Sequence, residues 1–181
     1  MRKFGHVPGI VLAAAAGIAF AWAATAVAQS LTTPADSGNP QIDYQGYERL
    51  VDRVRPEREA RLVNLSAFMG IAAHPTALIL DARSAEAFAE GHIEGAVNLP
   101  LPDFTAEALA AVIGDPDRPI LIYCNNNFAN HVRPVPLKLA PLALNIQTFV
   151  NLYGYGYRNV FELNEVVDFN EPRVRWVANA S

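Results

Sequence analysis

Two short runs constrain this chain most: Thr76-Ala-Leu-Ile-Leu80, which ends at Asp81, and Pro119-Ile-Leu-Ile-Tyr123, which ends at Cys124. Neither alternates polar with apolar residues, as a strand with one wet face does. Each is apolar along its length, as a strand covered on both faces must be. Strands of that kind belong to parallel sheets with helices packed on both sides.

The segments around them supply the helices. Over 42–54, apolar residues at 42, 44, 47, 50, 51 and 54 follow a helical period. A charged stretch at 53–61, with Pro56, is expected to separate this helix from a short strand at 62–65. Ser66 reads as the N-cap of a helix that runs to Ala73. Ser84 caps 85–90 and Gly91 stops that helix. A brief strand at 96–99 is closed by Pro100, and Thr105 caps a helix to Ile113 before a turn at 114–117. Residues 142–153 are again helical, and 159–163 form a last strand. Strands alternating with helices predict a single α/β domain with a mostly parallel central sheet flanked by helices. In such sheets ligands bind beyond the carboxyl ends of the strands, which is where Cys124 falls.

At 181 residues the chain is long enough for one domain with a proper core. Its hydrophobic fraction, 51%, is raised by an alanine-rich run over 10–28 that follows Arg2 and Lys3 and closes in Ala26-Val-Ala28. A basic start, an apolar middle and small residues before Gln29 are the pattern of a secretory signal peptide, here residues 1–28. An uncleaved anchor is the rival, since the run is just long enough to span a bilayer, and only then is the membrane a partner. Either way the expectation is export, to a periplasmic or secreted location. Residues 29–41, rich in Ser, Thr, Pro, Gly and Asn, read as a linker. Residues 42–170 read as the domain and 171–181 as a loose C-terminal tail without a clear period.

Removing Arg2 and Lys3 from the 14 basic residues leaves 12 against 18 acidic ones, a net charge of −6. With no basic stripe, nucleic acid is not an expected partner. The histidines His6, His74, His92 and His131 lack metal-ligand spacing, so neither a metal nor a cofactor is expected. Cys124 is the only cysteine, so in an oxidising compartment it cannot pair within its own chain. It is a free thiol, a modified thiol or an intermolecular partner.

Three stretches carry a family resemblance. Asp81-Ala-Arg83 followed by Phe88-Ala-Glu-Gly-His92-Ile-Glu-Gly-Ala96-Val-Asn-Leu-Pro100 resembles the first signature of the rhodanese domain. Ile120-Leu-Ile-Tyr-Cys124 resembles that family's strand and nucleophile, and Gly156-Tyr-Arg-Asn-Val160-Phe-Glu-Leu163 its closing strand. The resemblance implies sulfur transfer, with Cys124 as the catalytic residue. The thiolate takes the outer sulfur of a small sulfur-containing anion or persulfide donor, holds it as a persulfide and passes it to a thiol or other thiophilic acceptor. That chemistry asks for a low-pKa thiol, since the thiolate is the nucleophile. The family curls backbone N–H groups and a helix N-terminus around the sulfur. Asparagine tolerates the left-handed region best among non-glycine residues, so Asn125, Asn126 and Asn127 are expected to shape that curl and add side-chain donors. On this reading Asn125, Asn126, Asn127, Phe128, Ala129, Asn130 and Arg133 bind substrate, and Cys124 titrates below an ordinary thiol. Asp81, Arg83 and His92 are expected to be structural.

The chain also departs from the family pattern. The loop 124–130 has no cation or hydroxyl, and the path from Cys124 to Gly156 is longer than usual, with the excess around 131–141. His131, Arg133 and Lys138 supply the missing charge only if that insert folds back. These departures support an alternative: a non-catalytic rhodanese-like binding module that recognises a partner protein or small anion through the loop and insert. Phosphatase-type chemistry needs an arginine where Asn130 stands, and it is set aside.

Overall fold

A computed structural model describes residues 39–178, and these carry the account that follows. The signal peptide expected at 1–28 and nearly all of the linker expected at 29–41 lie outside them.

Five strands form one all-parallel sheet: β1 (Leu62–Val63), β2 (Leu78–Asp81), β4 (Ala96–Asn98), β5 (Ile120–Tyr123) and β6 (Val160–Leu163), in the order β1-β6-β5-β2-β4. β3 (His92–Ile93) and β7 (Trp176–Val177) make a separate antiparallel pair. The two apolar runs of the sequence are β2 and β5, at the sheet's centre, and every residue of both is buried. Their period of two sends Leu78, Leu80, Ile120 and Ile122 to one face, where they meet Val54, Leu109, Phe149 and Leu152. Ile79, Leu121 and Tyr123 point the other way, against Leu65, Phe68, Phe128 and Val174. The first face is covered by α1 (Tyr44–Glu59), α4 (Ala106–Ile113) and α5 (Leu144–Gly154); α2 (Leu65–Ala72) lies over the second.

Chain direction sets the site. From β2 the chain passes outward to β4, then returns to place β5 on the other side of β2 and continues to β6. The order therefore reverses between β2 and β5, and a crevice opens beyond their carboxyl ends. Asp81 ends one of these strands, and Cys124 follows the other.

Local signals place several boundaries. Ser84 caps α3 (Ala85–Glu90) and Thr105 caps α4, each through a side-chain oxygen on an N–H of the first turn. Three details differ from the sequence reading. The first helix does not stop before Pro56 but runs through it to Glu59. Its last turn is held by Arg58, which grips Glu162 of β6 through two hydrogen bonds of 2.6 and 2.5 Å. Asn64, not Ser66, caps α2, accepting from the N–H of Ala67 at 2.8 Å. The C-terminal segment is docked rather than loose: Val174 is fully buried, and Trp176 and Val177 pair with β3. Its Arg173-Val-Arg-Trp stretch does alternate polar and apolar, a strand signal too short to stand out alone.

Candidate active site

Cys124 follows the last residue of β5 and is 1% exposed. A single 3-10 turn, Asn125–Asn127, reverses the chain after it. The backbone N–H groups of Asn145, Asn126 and Leu144 act on the thiol sulfur in the direction that favours its charged form. Two of these three belong to the first turn of α5, which has no side-chain cap of its own. Helix N-termini leave their first N–H groups unpaired, and here two of them act on the sulfur from the positive end of the helix dipole. The insert thus delays the helix to Leu144 without depriving the sulfur of it.

The asparagines act differently from expectation. None has a left-handed backbone, which among non-glycine described residues occurs at His131 and Arg175. Their side chains brace the loop instead of donating to the sulfur. Asn127 is buried and accepts from the Cys124 N–H (2.9 Å) and the Asn145 amide (3.0 Å), while donating to the carbonyls of Leu163 and Glu165. Asn125 donates to the Pro136 carbonyl at 3.0 Å. Asn126 pairs with the backbone of Lys138 in both directions, at 2.9 and 3.1 Å. Phe128 is a core residue, edge-on to Tyr123 and Trp176. The Ala129 N–H bonds to the Val167 carbonyl, and Asn130 is tied to Asp168 and Phe169. The local sequence shows three polar residues in a turn, but their partners lie far along the chain.

The expected low thiol pKa is reversed. Burial pushes the Cys124 thiol up, and the charge of Glu162 adds to this, against the opposing pull of the three N–H groups. Removing a thiolate from water outweighs the donors aimed at it. The balance favours the neutral thiol over the thiolate.

Asp81 and Arg83 sit beside this strand end as a buried pair. Arg83 Nη2 and Nε meet the Asp81 carboxylate at 2.5–3.0 Å, and the Tyr123 hydroxyl donates to it at 2.5 Å. Burial opposes the charge on Arg83, yet the hydrogen bonds and charge of Asp81 outweigh it and raise its pKa. The Tyr123 phenol is pushed well up by burial, then by the Asp81 charge, so it stays a donor. Arg83 also donates to the Gly91 and Pro134 carbonyls, tying the turn after β2 to α3 and to the insert. His92 stacks on Phe88 at 3.8 Å, with its Nδ1 at 2.8 Å from the Phe88 carbonyl. Each of the three has close partners inside the fold.

The insert folds back over the site. Val135 is fully buried, and the carbonyls of Pro134, Pro136 and Lys138 all accept from site residues. Between the insert, α3 and the start of α5 lies a pocket of about 530 Å³. Of the residues expected to bind substrate, Asn125 and Arg133 line it; Asn126, Asn127, Phe128, Ala129 and Asn130 do not. Arg133 is held by Glu86 at 2.9 Å and by Glu90, so its charge is already matched. Lys138 also lines the pocket, and no ion pair of the described residues engages it. Sequence reasoning missed the Asn145 brace and the Tyr123 hydroxyl. Neither leaves a local signal, since an asparagine in a first helical turn and a tyrosine in a strand are both common.

Comparison with known proteins gives a family for this chain. The family model of the rhodanese-like domain matches residues 66–165, more than half of the chain. The chain belongs to the rhodanese-like domain family. Solved structures similar to it include the rhodanese-like domain of a protein from Anabaena sp., at 20% identity, covering 57% of this chain and 67% of that one with a TM-score of 0.42. A rhodanese with anions from E. coli is 21% identical, with 57% and 99% covered and a TM-score of 0.37. A thiosulfate sulfurtransferase from Pseudomonas aeruginosa is 20% identical over 66% of this chain but only 20% of its own length, with a TM-score of 0.44. No curated protein matches the chain.

Proposed function

We propose that this protein is a sulfurtransferase that carries sulfane sulfur as a persulfide on Cys124 and passes it to a thiol acceptor. The observation that carries the reading is the placement of the single cysteine between the end of the central strand β5 and the start of α5, with the Asn126, Leu144 and Asn145 N–H groups acting on its sulfur. Donors placed there stabilise an anionic sulfur whenever the thiol ionises, and they need no rearrangement to do so. In the first half-reaction the Cys124 thiolate bonds to the outer sulfur of the donor, and the bond from that sulfur to the rest of the donor breaks. In the second, an acceptor thiolate attacks the same outer sulfur and Cys124 leaves as thiolate. The neutral resting thiol makes ionisation part of the work, so loading is expected to quicken as pH rises.

The buried, protonated thiol favours a second reading, a binding module whose loop and insert recognise a protein or small anion. Intact mass separates the two. Purified protein exposed to thiosulfate or a hydropersulfide should gain one sulfur, and Cys124→Ser should gain none. A wild-type mass that never changes would leave the binding module. Export belongs to the same proposal and rests on the composition of residues 1–28. Cell fractionation should find the chain outside the cytoplasm with Gln29 first, and full-length chain in the cytosol would overturn it.

A further inference from the structure

One buried carboxylate shares the thiol's side of the sheet. Glu162 of β6 is 4% exposed and stands opposite Ile122 of β5 in the parallel register. Ile122 faces α1, α4 and α5, and Cys124, two residues on in extended backbone, returns to that face. Neighbouring strands lie about 4.8 Å apart and rise about 3.3 Å per residue, so the Cα atoms of Cys124 and Glu162 are roughly 8 Å apart. The chain around the end of α1 holds both the backbone and the side chain of Glu162. Its N–H donates to the Arg61 carbonyl at 3.0 Å, and Arg58 Nε and Nη2 donate to its carboxylate at 2.6 and 2.5 Å. A charge taken out of water needs such a partner, because burial alone penalises it heavily.

The other elements packed on this face bring uncharged side chains to it. From α5 come Asn145 and Thr148, from β5 Ile120 and Ile122, and from α4 Leu109 and Ile113. The Asp81–Arg83 pair is met by the Tyr123 hydroxyl on the opposite face. Arg133 and Lys138 of the insert are exposed, where water screens them. The helix that carries Arg58 lies outside the family region, which begins at residue 66. It is firmly seated, since Val54 is buried in the same cluster as Phe149 and Leu152 of α5.

We infer that Arg58 and Glu162 are positioning residues for Cys124: α1 holds a carboxylate on the thiol's face, and the pair sets how much of the sulfur is ionised at a given pH. The carboxylate disfavours a second negative charge beside it, and the guanidinium offsets part of that repulsion. The direction in which the Glu162 charge pushes the thiol, upward, is in keeping with this. The inference deepens the sulfurtransferase reading and rests on it for its purpose, because the thiolate is the attacking form. The pair then governs what fraction of the chain is ready to take sulfur.

The test is alkylation of Cys124 by iodoacetamide against pH, for the purified wild type, Glu162→Gln, Arg58→Met and the double variant. Iodoacetamide is neutral, so changes in site charge do not alter its attraction to the site. Glu162→Gln keeps an oxygen for Arg58 to bond and should lower the midpoint by about half a unit or more, the effect of one charge roughly 8 Å away in a medium between water and protein. Below both midpoints its alkylation should be about threefold faster or more. Arg58→Met should raise the midpoint, and the double variant should fall between the two single ones. A pair that only holds the fold together would loosen the packing when broken from either side, and both midpoints would move the same way. Shifts of one sign, or a Glu162→Gln midpoint equal to wild type, would overturn the inference. If Arg58→Met does not fold, the double variant takes its place and should titrate above Glu162→Gln; a midpoint at or below it counts against the pair. Intact mass after thiosulfate treatment is read separately. A chain that never gains sulfur yet shows the opposite shifts would sink the sulfurtransferase reading and leave the pair's control of the thiol standing.

Discussion

At the scale of a residue, the decisive quantity is the free energy of one proton on Cys124. Three N–H groups favour the thiolate, burial and Glu162 favour the thiol, and the balance lies with the thiol. Alkylation should therefore show a midpoint above the ordinary thiol value of about 8.5. The same shift links to stability. The folded chain keeps its proton at a pH where the unfolded thiol has lost it, so the contribution is complete below about 8.5 and is lost as pH rises through the folded pKa. Urea unfolding of wild type and Cys124→Ser across that window should show the wild type falling relative to the variant. Parallel curves, with an alkylation midpoint at or below that of a free thiol, would mean that the backbone donors win after all.

At the scale of an element, the insert acts as a strap across the loop. Its buried anchor is Val135, and its polar anchors are the side chains of Asn125 and Asn126. Asn126→Ala removes both bonds to Lys138, groups near enough to water for each to be worth about 1 kcal/mol or less. Stability should fall by no more than about 1–2 kcal/mol, while alkylation of Cys124 at fixed pH speeds up because the strap opens more often. Equal alkylation rates in wild type and variant would show that the strap does not limit access to the thiol.

At the scale of the molecule, the C-terminal segment closes the face opposite α1, α4 and α5. Trp176 stacks on Phe169 at 5.2 Å, meets Phe128 at 4.9 Å and lies 5.5 Å from the Arg83 guanidinium. Gly91 leaves room for it, since a Cβ there would come within 2.6 Å of the indole nitrogen. Gly91→Ala should push the indole away and cost about 1–3 kcal/mol, the usual scale of overpacking. In a chain starting at Gln29, Trp176 is the sole tryptophan, so its emission reports the displacement directly. An unchanged spectrum and unfolding midpoint would show that the segment is only loosely seated.

The sequence by itself determined what depends on neighbours in the chain. Unbroken apolar runs mark β2 and β5 as doubly covered, Ser84 and Thr105 satisfy N–H groups three residues on, and strands alternating with helices predict a mostly parallel sheet. These place Cys124 at a strand end beside a crevice before any coordinate is known. The tertiary structure decided what depends on distant partners and on water. Pro56 reads locally as a helix stop, but Arg58 reaching Glu162 across 104 residues holds the turn beyond it. Three asparagines read as donors to a sulfur, but carbonyls at Pro136, Lys138 and Leu163 claim them first. The thiol's pKa turned on the same distinction. Nearby N–H groups are visible in a motif, whereas desolvation is a sum over everything packed around the sulfur, and that sum exists only once the chain has folded.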